Sequence, residues 1–346
     1  MINIPLNDNT ENKTRKPLLC VRNLRGGYGT LSGYFRAIDN VNLDLYPREI
    51  LGIVGESGSG KSTLLKLIAG GKCISPLLLE GGNIVIENID LASLPCDELR
   101  RCVKEKKIIY VPQSAFDALY PYKRIWSFYV DLLKEYYGEK IDKRFEEQEK
   151  INLAGYFEVV GLDSTLLNKY PFELSGGMRQ RVVITIASSL KPSVILLDEP
   201  TSALDVVTQK KVLQMIADIF AKEHVKSVII SSHDIATLKQ IVHRLYVMYC
   251  GKIVEFADSN SIIQSPLHPY TTMLIESLKV FEESKQEKRG KVLYRDLAVE
   301  YSAYAMNRCR FYPRCPYSSP ICEKEEPPLI EVGTDHWVSC WLYIKR

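Results

Sequence analysis

No stretch of this chain approaches the roughly eighteen uninterrupted apolar residues that a membrane-spanning helix requires. The opening residues, MINIPLNDNTENKTRKP, lack the apolar core of a secretory signal and read as a floppy tail over residues 1–17. Together these absences predict a cytosolic chain that would meet a membrane only through a partner. A large charge excess is also missing. With 45 Lys and Arg against 42 Asp and Glu, the net charge of +3 makes no electrostatic case for a nucleic-acid partner. Internal repeats are absent, and so are the close CxxC pairs of zinc ribbons.

What remains is ordinary for a soluble globular protein: 346 residues, 46% apolar and 25% charged. That length suits one large domain with an appendage. Nine cysteines are present, an odd number. Cys20, Cys73, Cys96, Cys102 and Cys250 are scattered and are expected to be reduced, small apolar residues, because disulfides are rare in a reducing compartment. Cys309, Cys315, Cys322 and Cys340 are clustered and need a separate account.

Along the chain, "LLCVRNL" and "NVNLDLY" alternate like strands, with "RGGYGTLSG" expected as a Gly-rich loop between them. "EILGIVG" reads as a short buried strand, "KSTLLKLIAG" as an amphipathic helix, and "GGNIVIENIDL" as a hairpin arm. Residues 119–161 carry apolar side chains at helical spacing. Then "SVILLDEP", "VVTQKKVLQMIADIFAKE" and "KSVIISSHD" read as strand, helix and strand. This alternation predicts an α/β core with a parallel sheet. Composition changes near Ser265, so the expected organisation is a domain over 18–265, with a helical part at about 114–178, and a small C-terminal domain over 266–346.

Gly55-Glu56-Ser57-Gly58-Ser59-Gly60-Lys61-Ser62 fits G-x-x-x-x-G-K-[ST], followed by Thr63. Glycines let backbone N–H groups face phosphate oxygens, and the helix that follows directs its positive end at the same charge. Lys61 would reach the β- and γ-phosphates, and Ser62 would offer its hydroxyl to Mg²⁺. The plain alternative, a Gly/Ser-rich loop, does not account for the strand before and the helix after. Asp198 and Glu199 end a buried apolar strand, where a carboxylate pair is costly without a cation nearby. Asp198 suits the Mg²⁺ shell, and Glu199 suits general-base or water-positioning work.

"LSGGMRQR" at Leu174–Arg181 makes the reading specific, because it is similar to the signature of ABC-type ATPases. The chain has that family's full order: the phosphate loop, Gln113 in "YVPQ", the signature, the acidic strand, "SALD" at Ser202–Asp205, and His233 in "SSHD". The resemblance covers roughly residues 20–265. It implies the ABC ATPase core, a mixed sheet with an antiparallel β arm and a helical subdomain. Independently, Ser175, Gly176 and Gly177 stand before a helix, where exposed N–H groups bind anions. A simple Ser cap explains Ser175 but not the paired glycines. By resemblance, this loop caps the γ-phosphate held by a second ATPase subunit, Tyr28 stacks on adenine, Gln113 touches Mg²⁺ and the attacking water, His233 bonds the γ-phosphate, and Asp205 links the two sites.

"IVGESGSGKST", "PTSALDVVTQ", "HPYT" and "CRFYPRCPYSSPIC…EEPPL" resemble the oligopeptide/dipeptide/nickel importer branch. The chain departs from it at Ser114-Ala115 after the retained Gln113, at Leu119-Tyr120-Pro121 and at Phe172-Glu173, and none of these changes touches a catalytic position. The resemblance implies a 4Fe–4S cluster on Cys309, Cys315, Cys322 and Cys340. Structural Zn²⁺ is the alternative, and four reduced or partly disulfide-linked thiols the plain one. It also implies ATP-driven import, of peptides by default and of oligosaccharides or nickel otherwise. The implied partners are a related non-identical ATPase subunit, two membrane permeases and an extracellular solute-binding protein, with the chain at the cytoplasmic face of the membrane. The competing classes are a non-transport ABC ATPase, disfavoured by the short 113–174 gap and the single ATPase unit, and an iron–sulfur regulatory ATPase.

Overall fold

The computed structural model describes residues 16–31, 33–105, 108–138, 141–282, 303–304 and 307–344. The tail expected over residues 1–17 lies outside these except for its last two positions. The chain forms two compact units. One comprises Pro47–Glu49 and Asp97–Ile230, and the other Lys16–Tyr46, Ile50–Cys96 and Ser231–Arg346.

The second unit begins with β1 (Leu19–Thr30) and β2 (Gly33–Leu45), then β3 (Ile50–Val54) and α1 (Lys61–Ile68). β4 (Leu77–Ile86) and β5 (Ile89–Asp90) follow. An antiparallel sheet runs in the order β2-β1-β4-β5. The expected Gly-rich loop is a correction here. Residues 26–30 are paired strand residues, with Gly26 opposite Ile38, Tyr28 opposite Phe35 and Thr30 opposite Gly33. Partners on both sides, β2 and β4, satisfy the backbone. A Cβ on Gly27 would lie 1.9 Å from the Phe35 carbonyl oxygen, so glycine serves close strand approach rather than a turn.

A second correction concerns cysteine. Cys73 and Cys96 form a disulfide, their Cα atoms 5.6 Å apart, whereas Cys20, Cys102 and Cys250 are free of disulfides. The compartment argument had no access to the backbone path that brings these two residues, 23 apart in sequence, within bridging distance.

The first unit holds α2 from Asp97 onward (Cys96–Glu105 in full), β6 (Ile108–Val111), α3 (Ile125–Tyr137), α4 (Lys143–Val159), α5 (Gly176–Ser189), β7 (Val194–Asp198), α6 (Val206–Ala221) and most of β8 (Ser227–Ser232). β6 and β7 pair in parallel, with Ile108 opposite Val194 and Val111 opposite Leu197. Every residue of β7 is buried, as a parallel strand covered on both faces demands. α5 packs on α4 and α6, burying Val182, Ile184 and Ile186.

The second unit resumes with α7 (Ile235–Leu238), β9 (Arg244–Tyr249), β10 (Lys252–Asp258), α8 (Ser259–Gln264) and α9 (Pro269–Glu282). It ends with α10 (Pro320–Lys324), β11 (Ile330–Glu331) and β12 (Trp337–Val338). β3 pairs in parallel with β9, β9 forms a hairpin with β10, and β12 adds to β10 with Glu255 opposite Val338. Stacked rings reinforce that edge. Phe256 lies 4.6 Å from Tyr246 and 5.8 Å from Trp337 between centroids. Glu255, fully buried, accepts from the N–H groups of Leu267 and His268 and bonds His336 Nε2 at 2.7 Å. The C-terminal segment is thus built onto the sheet that carries the phosphate loop. Ser265 falls between α8 and α9, inside one compact unit.

Candidate functional site

In the second unit, buried β3 delivers the chain to Gly55 and α1 leaves from Gly60. Gly58 and Gly60 adopt φ of 79° and 105°, the left-handed region that favours glycine. A Cβ on Gly60 would meet the Ala37 carbonyl at 2.8 Å. The turn therefore needs glycine both for its dihedrals and for its clearance. Ser57 is exposed at the rim, whereas Ser59 is buried and its Oγ has no hydrogen-bond partner among the described residues. Lys61 is 4% exposed, and its Nζ donates to the carbonyls of Gly55 at 2.8 Å and Glu56 at 3.0 Å. A buried ammonium, an unpartnered Ser59 hydroxyl and a helix N-terminus at one turn form an anion cradle. Ser62 opens α1 beside Lys61. Tyr28 of β1 bonds Thr63 Oγ1 through its hydroxyl at 2.9 Å, which ties the antiparallel arm to the start of α1. His233 follows β8 in the same unit and is exposed, while the next residue, Asp234, caps α7.

In the first unit, β7 ends at Asp198, 1% exposed, followed by Glu199, 9% exposed. These carboxylates are therefore not a solvated strand end. Tyr110 of β6 donates its hydroxyl to Asp198 Oδ2 at 2.9 Å, and Gln113 Nε2 reaches Glu199 Oε2 at 3.3 Å. Parallel pairing of β6 with β7 sets the Tyr110 contact, since Tyr110 lies opposite Leu196. Glu199 has a φ of +45°, a left-handed conformation costly for a non-glycine residue. Such strain is found where the backbone must aim one side chain. Motif spacing does not point to Tyr110. Its place in an apolar strand before "PQ" is the one hint the sequence holds.

Ser175 caps α5, accepting from the Met178 N–H at 3.3 Å. Gly176 and Gly177 begin that helix. A Cβ on Gly176 would meet nothing within 4 Å, but one on Gly177 would lie 2.4 Å from Thr208 Cγ2. One glycine of the pair is thus required by packing, and the other leaves the helix start bare. Asp205 caps α6, accepting from the N–H groups of Val207 and Thr208 and from Thr208 Oγ1 at 2.6 Å. The Thr208 bonds hold its carboxyl below the ordinary range.

The ABC transporter family matches residues 38–202, and the oligopeptide/dipeptide transporter C-terminal region matches residues 254–322. The dipeptide transport ATP-binding protein DppD of Caldanaerobacter subterraneus subsp. tengcongensis is 34% identical over 333 residues, 94% of this chain and 97% of the relative. The oligopeptide transport ATP-binding protein AppF of Bacillus subtilis is 33% identical over 336 residues, 95% of this chain and 98% of the relative. The chain belongs to the ATP-binding subunits of the oligopeptide/dipeptide ABC transporter family. Among solved structures, the dimeric ATP-binding cassette MJ0796 is 28% identical with a TM-score of 0.60, covering 70% of this chain and 98% of that one. A post-hydrolysis dimer of the same cassette, bound to ADP and Pi, gives 0.58 over the same shares. The expected α/β cassette fold and its ATPase class stand on these likenesses.

The remaining part of this ABC ATPase is the cysteine region. Cys309, Cys315, Cys322 and Cys340 line one cavity of about 400 Å³, together with His268 and Phe311. The Cys309 N–H donates to the Cys322 carbonyl at 3.1 Å, and Cys315 N–H to the Phe311 carbonyl at 3.0 Å, folding the first three into one compact turn system. Burial pushes the Cys309 thiol up to about 12 and Cys340 up to about 11, and each feels the other cysteines. Among the described residues, no group of three or more His, Cys, Asp or Glu converges closely enough to hold a single metal ion.

Proposed function

We propose that this chain is the ATP-driven motor subunit of an importer for di- or oligopeptides, working at the cytoplasmic face of a membrane. The observation that carries this reading is full-length likeness to dipeptide and oligopeptide transport ATP-binding proteins combined with an intact anion cradle at 55–62. No helix among the described residues is long and apolar enough to cross a membrane, so translocation falls to separate permeases. In this reading Gly55, Ser57, Gly58, Ser59, Gly60, Lys61, Ser62 and Thr63 bind the phosphates, and Tyr28 stacks on adenine. Ser62, Gln113 and Asp198 hold Mg²⁺, which neutralises developing phosphate charge when bound. Glu199 orients or deprotonates water, with Gln113 holding its carboxylate, and His233 contacts the γ-phosphate. Ser175, Gly176 and Gly177 cap nucleotide held by a second, related ATPase subunit, and Asp205 steadies the link between the two sites through α6. Two permeases and an extracellular solute-binding protein complete the assembly. The four cysteines hold a 4Fe–4S cluster, supported by their shared cavity.

Reconstitution tests the reading. The chain, co-expressed with candidate permease and ATPase subunits and placed in proteoliposomes, is expected to take up a labelled dipeptide with a solute-binding protein and ATP. Uptake of an oligosaccharide or of nickel but no peptide reassigns the cargo. Failure to assemble with any permease ends the importer reading.

A further inference from the structure

The phosphate loop is gripped from outside its own strand and helix. Arg314 Nη1 donates to Glu56 Oε2 at 2.6 Å and Nη2 to Glu56 Oε1 at 2.9 Å, a two-pronged ion pair spanning 258 residues of sequence. The Arg314 side chain is 8% exposed. Its guanidinium lies 5.9 Å from the Tyr249 ring centroid and 5.7 Å from that of Phe311. A planar fork fixed by aromatic faces is the arrangement in which lysine replaces arginine only in part. Tyr270, at the start of α9, accepts the Glu56 N–H at 2.8 Å. Tyr304 donates its hydroxyl to the Gly58 carbonyl. Arg310 donates to the Cys250 carbonyl and to Asp39, and the next residue of that turn, Gly251, donates its N–H to the Ser59 carbonyl at 2.8 Å. So Glu56, Gly58 and Ser59, three of the eight loop residues, are held by the region after residue 249.

Both arginines also belong to the cysteine turn. Arg310 follows Cys309 directly, and Arg314 precedes Cys315. The Arg314 N–H and the Cys315 N–H both donate to the Phe311 carbonyl, each at 3.0 Å. One short turn therefore lines the thiol cavity on one side and clamps the phosphate loop on the other.

We propose that Arg314 is a positioning residue for nucleotide binding: through Glu56 it makes the shape of the phosphate loop depend on the fold of the Cys309–Cys315 turn. This rests on the loop being the ATP site. Gly58 and Gly60, at positive φ, leave the loop backbone many conformations to lose, and an external clamp removes that cost before the ligand arrives. Because linkage is reciprocal, nucleotide must in turn steady the cysteine turn.

The test uses full-length protein with Mg²⁺ and the trinitrophenyl derivative of ATP, titrated by fluorescence. Arg314→Gln is expected to weaken binding about tenfold, the scale of one charge-assisted contact. Arg314→Lys should fall between it and the parent, and Glu56→Gln should match it. The double variant should be no worse than the worse single, as expected of two groups acting as one. In steady state KM for ATP should rise about tenfold while kcat stays within about twofold. Amide hydrogen exchange over residues 309–316 should slow on adding nucleotide in the parent and not in Arg314→Gln. Unchanged affinity in both single variants, or strictly additive losses, overturns the clamp. Lys61→Ala serves as the reference. If it abolishes binding while the Arg314 variants do nothing, the clamp fails and the site stands. If Lys61→Ala also leaves binding intact, the site and the clamp fall together.

Discussion

At the scale of single residues, Glu199 and Lys61 represent two kinds of constraint. Lys61 is a buried ammonium that donates to two carbonyls of its own loop, which aims it into the turn where the N-terminus of α1 also points. A phosphate bound in that turn would accept from the same ammonium. Lys61→Ala is therefore expected to lower nucleotide affinity by tenfold or more, readable in the same fluorescence titration, with the fold retained. Glu199 is held differently, by backbone strain and a Gln113 contact at 3.3 Å. Glu199→Gln keeps the shape and removes the charge. Nucleotide should bind normally while hydrolysis, followed by phosphate release, falls by two orders of magnitude or more, as expected when a general base is lost. Full turnover in that variant would exclude the assigned role. Both positions are marked by motifs in the amino-acid sequence alone. Their chemistry needs a fixed spacing along a few consecutive residues, and such spacing is what a sequence displays directly. Tyr110, three residues ahead of Gln113, is not legible in that way, because its contact with Asp198 exists only through the register of β6 against β7.

At the scale of elements, the start of α5 and the start of α6 form one device. Thr208 is pinned by its hydroxyl to Asp205 at 2.6 Å, so its methyl cannot rotate away from Gly177. An alanine at 177 would press its Cβ against that methyl, an overpacking cost of about 1–3 kcal/mol set against about 1 kcal/mol gained from helix propensity. Gly177→Ala is expected to be net destabilising by about 1 kcal/mol, seen as a lowered thermal midpoint. Gly176→Ala, which meets open space, should raise that midpoint slightly or leave it alone. Adding Thr208→Ser to Gly177→Ala should restore the loss by removing the methyl. A drop of equal size in both glycine variants would contradict the packing account. Element types are largely legible, since the apolar runs of β3 and β7 and the helical spacing of α3 and α4 carry their own period. The Gly-rich segment at 26–30 reads as a loop because glycine signals backbone freedom, whereas here it signals backbone proximity. The Cys73–Cys96 bridge escapes the sequence because compartment statistics say nothing about where two turns meet.

At the scale of the molecule, the C-terminal segment is what a motif-by-motif reading leaves loose. Its strands extend the sheet of β3 and β9, and its arginines reach back across more than two hundred residues. No local pattern carries such contacts. The family resemblance implies a shared cysteine site; the four cysteines line one cavity, and what fills it is left to experiment. The thiol chemistry supplies a sharper criterion. Burial pushes the Cys309 and Cys340 thiols up, so a centre that binds them as thiolates must displace their protons. On the proposed cluster reading, protein purified without oxygen is expected to be brown, with broad absorbance in the blue and about four irons and four sulfides per chain. Cys309→Ser should bleach it and lower the iron count. One zinc per chain with no iron would transfer the site to a structural metal, and neither metal in anaerobically prepared protein would leave four free thiols as the whole of it. The iron measurement and the Arg314 titration are independent: the first reads what the cavity holds, and the second reads whether the turn that lines it sets the grip on ATP.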